Sequence, residues 1–406
     1  MLLRFRFSNF RSFRTEQELS MVAGAINDRA ESVFHPSGVD DGVLPVAAIY
    51  GANASGKTNV ILALQFMRGV VTNSHARWEP DKPIHLEPFA GEPDSPSTFS
   101  ADFLLDGVRY QYGFSLNREA ILKEWMYAYP SGKKQTWFAR ERNRPISFSA
   151  KLQGENRTIE RLTRPNSLFL SAAAQNNHET LSPVYRWFSG SLSFIVGGRS
   201  LTHQRAHTLY GDADLRQKSA RLLALADLGI TDLSIQEAEA KDFAANALSL
   251  EPFKIRFLHR IGDIDLPFSL NQESTGTIAF LSLLEPVISA LSNGGVVCVD
   301  ELDHSLHPLL AIELIRQFSN IKINPSSAQL IFNTHDTNLL SAGVLRRDQI
   351  WFTEKGQDGA SQLYPLTDFK PRKQENLENG YLQGRYGAIP FLNADWVLKG
   401  SHEEER

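Results

Sequence analysis

Eight residues, Gly51-Ala52-Asn53-Ala54-Ser55-Gly56-Lys57-Thr58, carry the densest chemistry in this sequence. Their spacing, G-x-x-x-x-G-K-[ST], is that of a phosphate-binding loop, whose glycines let backbone N–H groups curl around an anion. The flanks fit that reading. Val46-Ala47-Ala48-Ile49-Tyr50 reads as a buried strand, and Val60, Ile61, Leu64 and Met67 recur at helical spacing. A helix N-terminus behind the loop adds its own attraction for negative charge. Lys57 would reach the β- and γ-phosphates of a nucleotide, and the Thr58 hydroxyl would ligate Mg²⁺. The bland alternative is a glycine-rich turn that meets the pattern by chance.

Further along, Val296-Val297-Cys298-Val299-Asp300-Glu301 is an apolar run ending in two acids. A strand covered on both faces reads this way, and its end is where α/β sheets place ligands. There Asp300 suits Mg²⁺, and Glu301 suits orienting and deprotonating a water. The same run could simply be a strand leaving the core through a charged loop. Ser274 is a plausible N-cap for a helix with apolar Ile278, Leu281, Leu284, Ile288 and Leu291. Gly276 beside it permits close backbone approach, so this is a second helix N-terminus suited to phosphate. As an isolated motif it is weak.

Gln329-Leu330-Ile331-Phe332-Asn333-Thr334-His335-Asp336 is another strand ending in polar groups. His335 there could hydrogen-bond a γ-phosphate, although a lone His is usually a satisfied loop residue. His304 and His307 read as a turn rather than a metal site, because no acid cluster or second Cys accompanies them. The order of the five elements carries the argument: loop, capped helix, acid-ended strand, Asp turn, His-ended strand.

These elements need a sizeable scaffold. The chain has 406 residues, 42% hydrophobic and 22% charged, ordinary for a soluble globular protein of two lobes. A formal net charge of −4 argues against a generally basic nucleic-acid coat and leaves room for a local patch. The single Cys298 excludes an internal disulfide and makes the reducing cytoplasm the natural compartment. The first residues are too short and charged a run for a secretory signal. Ile278 to Val299 is too broken by Glu285, Pro286, Asn293 and two glycines to predict a membrane span.

Leu3, Phe5 and Phe7 alternate with Arg4, Arg6 and Ser8, which predicts a half-buried first strand. Residues 73–98 hold five prolines and read as an irregular connection. Runs at 98–105, 108–116, 121–129 and 136–140 predict an antiparallel sheet, with Asp106-Gly107 as a hairpin turn. From about 166 to 245 the pattern is helical, and 253–270 returns to strand. The expected fold class is α/β: a phosphate-loop core of residues 1–72 and 253–406, an antiparallel β lobe at 73–165, and a compact, mostly helical insert at 166–252.

The set resembles the ATP-binding-cassette type of P-loop ATPase, in the soluble branch shared by SMC, RecF and OLD-like proteins. Within that branch it is similar to bacterial AAA-15/AAA-21 ATPases associated with abortive infection and phage defence. The supporting residues are Ile49 to Thr58, Ser274-Thr275-Gly276-Thr277, Asp300 to Pro308 and Thr334-His335-Asp336. Phe7-Ser8-Asn9-Phe10-Arg11-Ser12-Phe13 and Gly380 to Pro390 extend the match towards both ends.

The resemblance implies that two chains sandwich two ATPs, as a homodimer or higher even oligomer. Ser274 and Gly276 of one chain would then face the γ-phosphate held by Lys57 of the other. Asp303 would communicate across that interface, His335 would sense the γ-phosphate, and Arg11 would approach the nucleotide. Gln175 is the candidate for the Mg²⁺-contacting glutamine. The roughly 215 residues between Thr58 and Ser274 show no heptads, so the long SMC coiled coil is missing. Glu354 ends a strand as a Toprim nuclease would begin, but no later Asp-x-Asp follows, so no built-in nuclease is expected.

Three functions follow. The first is an ATPase switch that controls a separate effector, a nuclease or toxin. The second is an ATP-gated DNA clamp using Lys133-Lys134 and the Arg140, Arg142, Arg144, Arg157, Arg161 and Arg164 clusters. The third is a scaffold using ATP as glue, which would have no need of Glu301.

Overall fold

A computed structural model describes residues 1–197, 203–226, 229–237 and 253–390. Strand β1 (Leu2–Ser8) buries Leu3, Phe5 and Phe7 and pairs antiparallel with β2 (Gln17–Ser20). β3 (Val46–Gly51) is buried at every position and runs through the phosphate loop into α1 (Lys57–Asn73).

A meander follows: β4 (Ser97–Leu105), β5 (Val108–Leu116), β6 (Ile121–Tyr129), β7 (Gln135–Glu141) and β8 (Ser147–Phe148). Asp106 and Gly107 join β4 to β5 with φ of 49° and 74°, the double-positive turn that matches strand twist. With the first two strands these form one seven-stranded sheet, β2-β1-β4-β5-β6-β7-β8. Its apolar face is covered by α1 and by α2 (Asn156–Leu162), α3 (Phe169–Gln175) and α4 (Ser182–Gly190).

Next come β9 (Leu192–Ile195), α5 (His203–Gly211) and α6 (Ala213–Leu225), then β10 (Ile230–Glu237), β11 (Phe253–Ile261) and β12 (Ile264–Ser269). The last three strands form a small antiparallel sheet backed by α6 and by α7 (Thr275–Asn293). The chain closes with β13 (Val296–Val299), α8 (Leu302–Ser305), α9 (Pro308–Ser319), β14 (Gln329–Asn333), α10 (Asn338–Ser341), β15 (Ile350–Lys355), β16 (Ser361–Pro365) and α11 (Leu377–Leu382).

The site-bearing sheet has the order β16-β15-β3-β14-β13-β9, parallel except at the β16 edge. Alternate residues of β3 feed two cores: Ala47 and Ile49 one, Val46, Ala48 and Tyr50 the other. Buried Gln329 fastens this sheet to the antiparallel one, accepting from Leu2 N at 2.6 Å and donating to the Leu2 and Leu44 carbonyls.

Two elements differ from what the sequence suggested. Leu192–Ile195, in a stretch read as helical insert, is the edge strand of the phosphate-loop sheet, pairing with β13. Ile230–Glu237 is also a strand, not a helix. The strands within residues 2–20 and 253–269 lie in the two antiparallel sheets. α7, the helix expected behind Ser274, runs on through Pro286. By length and a hydropathy of 1.4 it could cross a membrane, while about half of it is buried within this fold.

Candidate active site

The phosphate loop is forced by its neighbours. Gly51 has φ 153°, and a Cβ there would lie 2.4 Å from the Thr353 carbonyl oxygen. Gly56 has φ 112°, and its Cβ would press on Ser361, Ser12 and Phe13 at 2.8–3.1 Å. Only glycine fits either place. Ser55 Oγ meets Thr353 Oγ1 on β15 at 2.7 Å, which pins the loop to the next strand. Asn53 and Ala54 form its exposed crest.

Lys57 begins α1 and is buried. Its Nζ donates to the Gly51 and Ala52 carbonyls at 2.8 and 3.0 Å, so the loop satisfies its own cation. Burial pushes its pKa down to about 8, opposed by the negative charges of Glu301, Asp303 and Asp300. These three acids therefore lie within electrostatic reach of the lysine.

Thr58 Oγ1 donates to Asp300 Oδ1 at 2.8 Å. The same oxygen accepts from Asn333 Nδ2 at 2.5 Å. Asn333 Oδ1 in turn accepts from Glu301 N at 2.6 Å. Glu301 sits in the left-handed region at φ 54°, rare for a residue with a side chain and frequent at working sites. One amide thus holds both acids at the strand end.

Asp303 Oδ1 accepts from Thr334 Oγ1 at 2.7 Å and from His335 N at 3.2 Å, coupling the Asp turn to the His turn. Partial burial of the His335 ring lowers its pKa, and Lys57 lowers it further, against Asp303 and Glu301. His335 and Lys57 are therefore electrostatic neighbours. His307 caps α9, its Nδ1 accepting from Leu309 N at 3.3 Å.

Arg11 donates to Glu87 Oε1 at 2.9 Å and approaches Asn59 Oδ1 at 3.5 Å. Asn59, next to Thr58, donates to Ser12 Oγ at 2.9 Å, so the Asn9–Phe13 turn lies against the start of α1. Ser274 caps α7, accepting from Thr277 N at 3.0 Å. Ser274, Thr275 and Gly276 are all exposed, and a Cβ on Gly276 would touch only Ser274. Among the described residues, no hydrogen bond joins them to this chain's own phosphate loop. Gln175 ends α3 exposed to solvent and bonds to neither Thr58 nor Asp300.

The arginines read as a basic patch are largely engaged. Arg140 is partly buried, donating to the Ser167 and Arg164 carbonyls and to Glu124. Arg142 pairs with Glu119, Arg144 with Glu141 and Arg157 with Glu160. Arg164 donates to three carbonyls at the end of α1, Ser74, His75 and Trp78.

Residues 46–341 match the AAA_21 family, described as "AAA domain, putative AbiEii toxin, Type IV TA system". The chain belongs to the AAA_21 family. Among solved structures this AAA_21 chain is similar to the SMC head domain from Thermotoga maritima, with 14% identity and a TM-score of 0.41 over 90% of this chain and 98% of that one. It is also similar to the Smc head domain, with extended coiled coil bound to the C-terminal domain of ScpA, derived from Pyrococcus furiosus. There identity is 11% and TM-score 0.40, over 89% and 95% of the two chains. Neither likeness bears on activity. No curated protein matches the chain.

Sequence reasoning missed Asn333, Asn59 and Thr353 in this AAA_21 site. Asn333 was the most legible of them, because it ends an apolar strand just before Thr334-His335-Asp336.

Proposed function

We propose that the chain binds and hydrolyses ATP, and that bound ATP draws two copies together as a conformational switch. The observation that carries this reading is the chain of contacts Thr58–Asp300–Asn333–Glu301 beside buried Lys57. A hydroxyl and a carboxylate oxygen in contact are the hard donors that Mg²⁺ takes alongside phosphate oxygens. Mg²⁺ held by Thr58 and Asp300 would neutralise charge on the phosphates. The loop from Gly51 to Gly56, with Asn53, Ala54 and Ser55, presents backbone N–H groups to the phosphates. Lys57 exchanges the Gly51 and Ala52 carbonyls for β- and γ-phosphate oxygens. Glu301, exposed and fixed through its backbone, takes the proton of the attacking water. His335 meets the γ-phosphate and Arg11 approaches the nucleotide, while Gln175 would need to swing in from α3.

A capped helix end without a partner in its own chain supports a second copy as its occupant: Ser274 and Gly276 would complete the other chain's γ-phosphate cage, with Asp303 relaying across the interface. The family's description names a toxin of a Type IV TA system, and on that ground we place the switch in cytoplasmic anti-phage defence, acting on a separate effector. The DNA-clamp alternative loses support because its arginines hold the protein's own carbonyls and acids. Substituting Glu301→Gln and measuring phosphate release tests the reading. Turnover should vanish while ATP still binds; an unchanged rate would remove Glu301 as the base.

A further inference from the structure

Tyr50 closes β3, one residue before the phosphate loop, and is fully buried. Its ring packs near Tyr381 and Phe352, with centroids 6.0 and 6.3 Å away. Its hydroxyl nevertheless has no hydrogen-bond partner among the described residues.

The neighbouring strand β14 continues past Asn333 into the turn Thr334-His335-Asp336. Thr334 N donates to the Ile49 carbonyl at 3.2 Å, so this turn lies beside Tyr50. Asp336 carries the second orphan. Its Oδ1 accepts from Asn338 N at 3.0 Å and Asn338 Nδ2 at 2.6 Å, while its buried Oδ2 accepts from nothing among the described residues. Burial raises the Tyr50 pKa well above its ordinary value, and Asp336 is the strongest charge adding to that rise, ahead of Asp303 and Glu378.

A buried donor on β3 and a buried acceptor on the adjoining turn thus each lack what the other supplies. Phenylalanine would fill the same space with no hydroxyl to desolvate. Burying this hydroxyl without a partner from the protein is unfavourable, and an arrangement that supplies one would recover that cost.

We infer that Tyr50 is a positioning residue: when nucleotide draws the His335 turn inward, the Tyr50 hydroxyl donates to Asp336 Oδ2 and fixes His335 against the γ-phosphate. His335 itself is held through its backbone N–H, which donates to Asp303 Oδ1. The new bond supplies the second point of attachment. The inference rests on the ATPase reading.

The test is Tyr50→Phe in the full-length chain, with MgATP as the ligand. The nucleotide-free Tm should be unchanged or raised. KM should stay the same while kcat falls about 10-fold to 100-fold, the worth of a hydrogen bond to a charged acceptor. Asp336→Asn, which keeps an acceptor oxygen, should retain most turnover. The double variant Tyr50→Phe/Asp336→Ala should be no slower than Asp336→Ala alone. Wild-type kcat in Tyr50→Phe would overturn the inference. So would a lowered nucleotide-free Tm, because the hydroxyl would then already have a partner. If the unsubstituted chain hydrolyses no ATP, the functional reading fails instead. Tyr50 is then judged by the Tm gain from MgATP, which Tyr50→Phe should diminish; an undiminished gain overturns the inference.

Discussion

Removing the Asn333 side chain should uncouple the two acids without touching the phosphate loop. Asn333→Ala deletes a bond to the Asp300 carboxylate at 2.5 Å and one from Glu301 N at 2.6 Å. A hydrogen bond to a charged group is worth about 1.5–3 kcal/mol and a neutral one about 0.5–1.5. Part of that sum returns, because Glu301 can leave its left-handed backbone, which costs roughly 1–2 kcal/mol to hold. The net loss of stability should then be about 1–3 kcal/mol, read as a lower urea midpoint at unchanged m-value. The kinetic effect should be larger, about 100-fold in kcat, since a mispositioned general base forfeits most of its contribution. KM for ATP should hold, because Lys57 and the loop are intact. A variant with near-normal kcat, or one that loses ATP binding together with turnover, would refute the idea that Asn333 acts by placing Glu301.

Lys57, pushed down to about 8 from an ordinary 10.5, is partly neutral above pH 8 in the nucleotide-free protein. Phosphate favours its charged form, so ATP binding at about pH 9 should take up a proton, seen as a buffer-dependent heat in titration calorimetry; equal heats in all buffers would contradict this. Between those two pKa values the unfolded chain carries the extra proton, so this group makes nucleotide-free stability rise with pH across that window. Glu124 is fully buried, accepting from Phe169 N at 2.7 Å, Leu170 N at 3.0 Å and Tyr112 Oη at 2.9 Å, beside Arg140. Glu124→Ala should therefore cost about 3–5 kcal/mol in urea unfolding, the usual result of leaving one partner of a buried pair alone. A change of less than about 1 kcal/mol would show that the carboxylate is not what seats α3 on the antiparallel sheet.

The elements that were legible in the sequence are those whose signal is local. The phosphate loop, the Ser274 cap and the Asp106-Gly107 turn each depend on backbone chemistry within a few residues. The acid-ended and His-ended strands were readable because buried parallel strands are apolar throughout. Leu192-Ser193-Phe194-Ile195 was not, since four residues cannot separate a strand from a helix by period, and its pairing with β13 spans a hundred residues of chain. Asn333 became visible only when β14 was set beside β13. The contacts of Arg140 were not legible, because charge in a sequence does not reveal that Glu124 and the Ser167 carbonyl await it inside. Gln175 was chosen from local pattern alone, and α3 leaves it at the surface.

The shared nucleotide site between two copies is tested most directly by molecular mass. Sedimentation of the Glu301→Gln chain should show a monomer without nucleotide and a dimer with MgATP. Adding Ser274→Arg, which crowds the exposed cap, should abolish the dimer while ATP still binds. A dimer that survives Ser274→Arg, or a mass that ignores MgATP, would contradict the account.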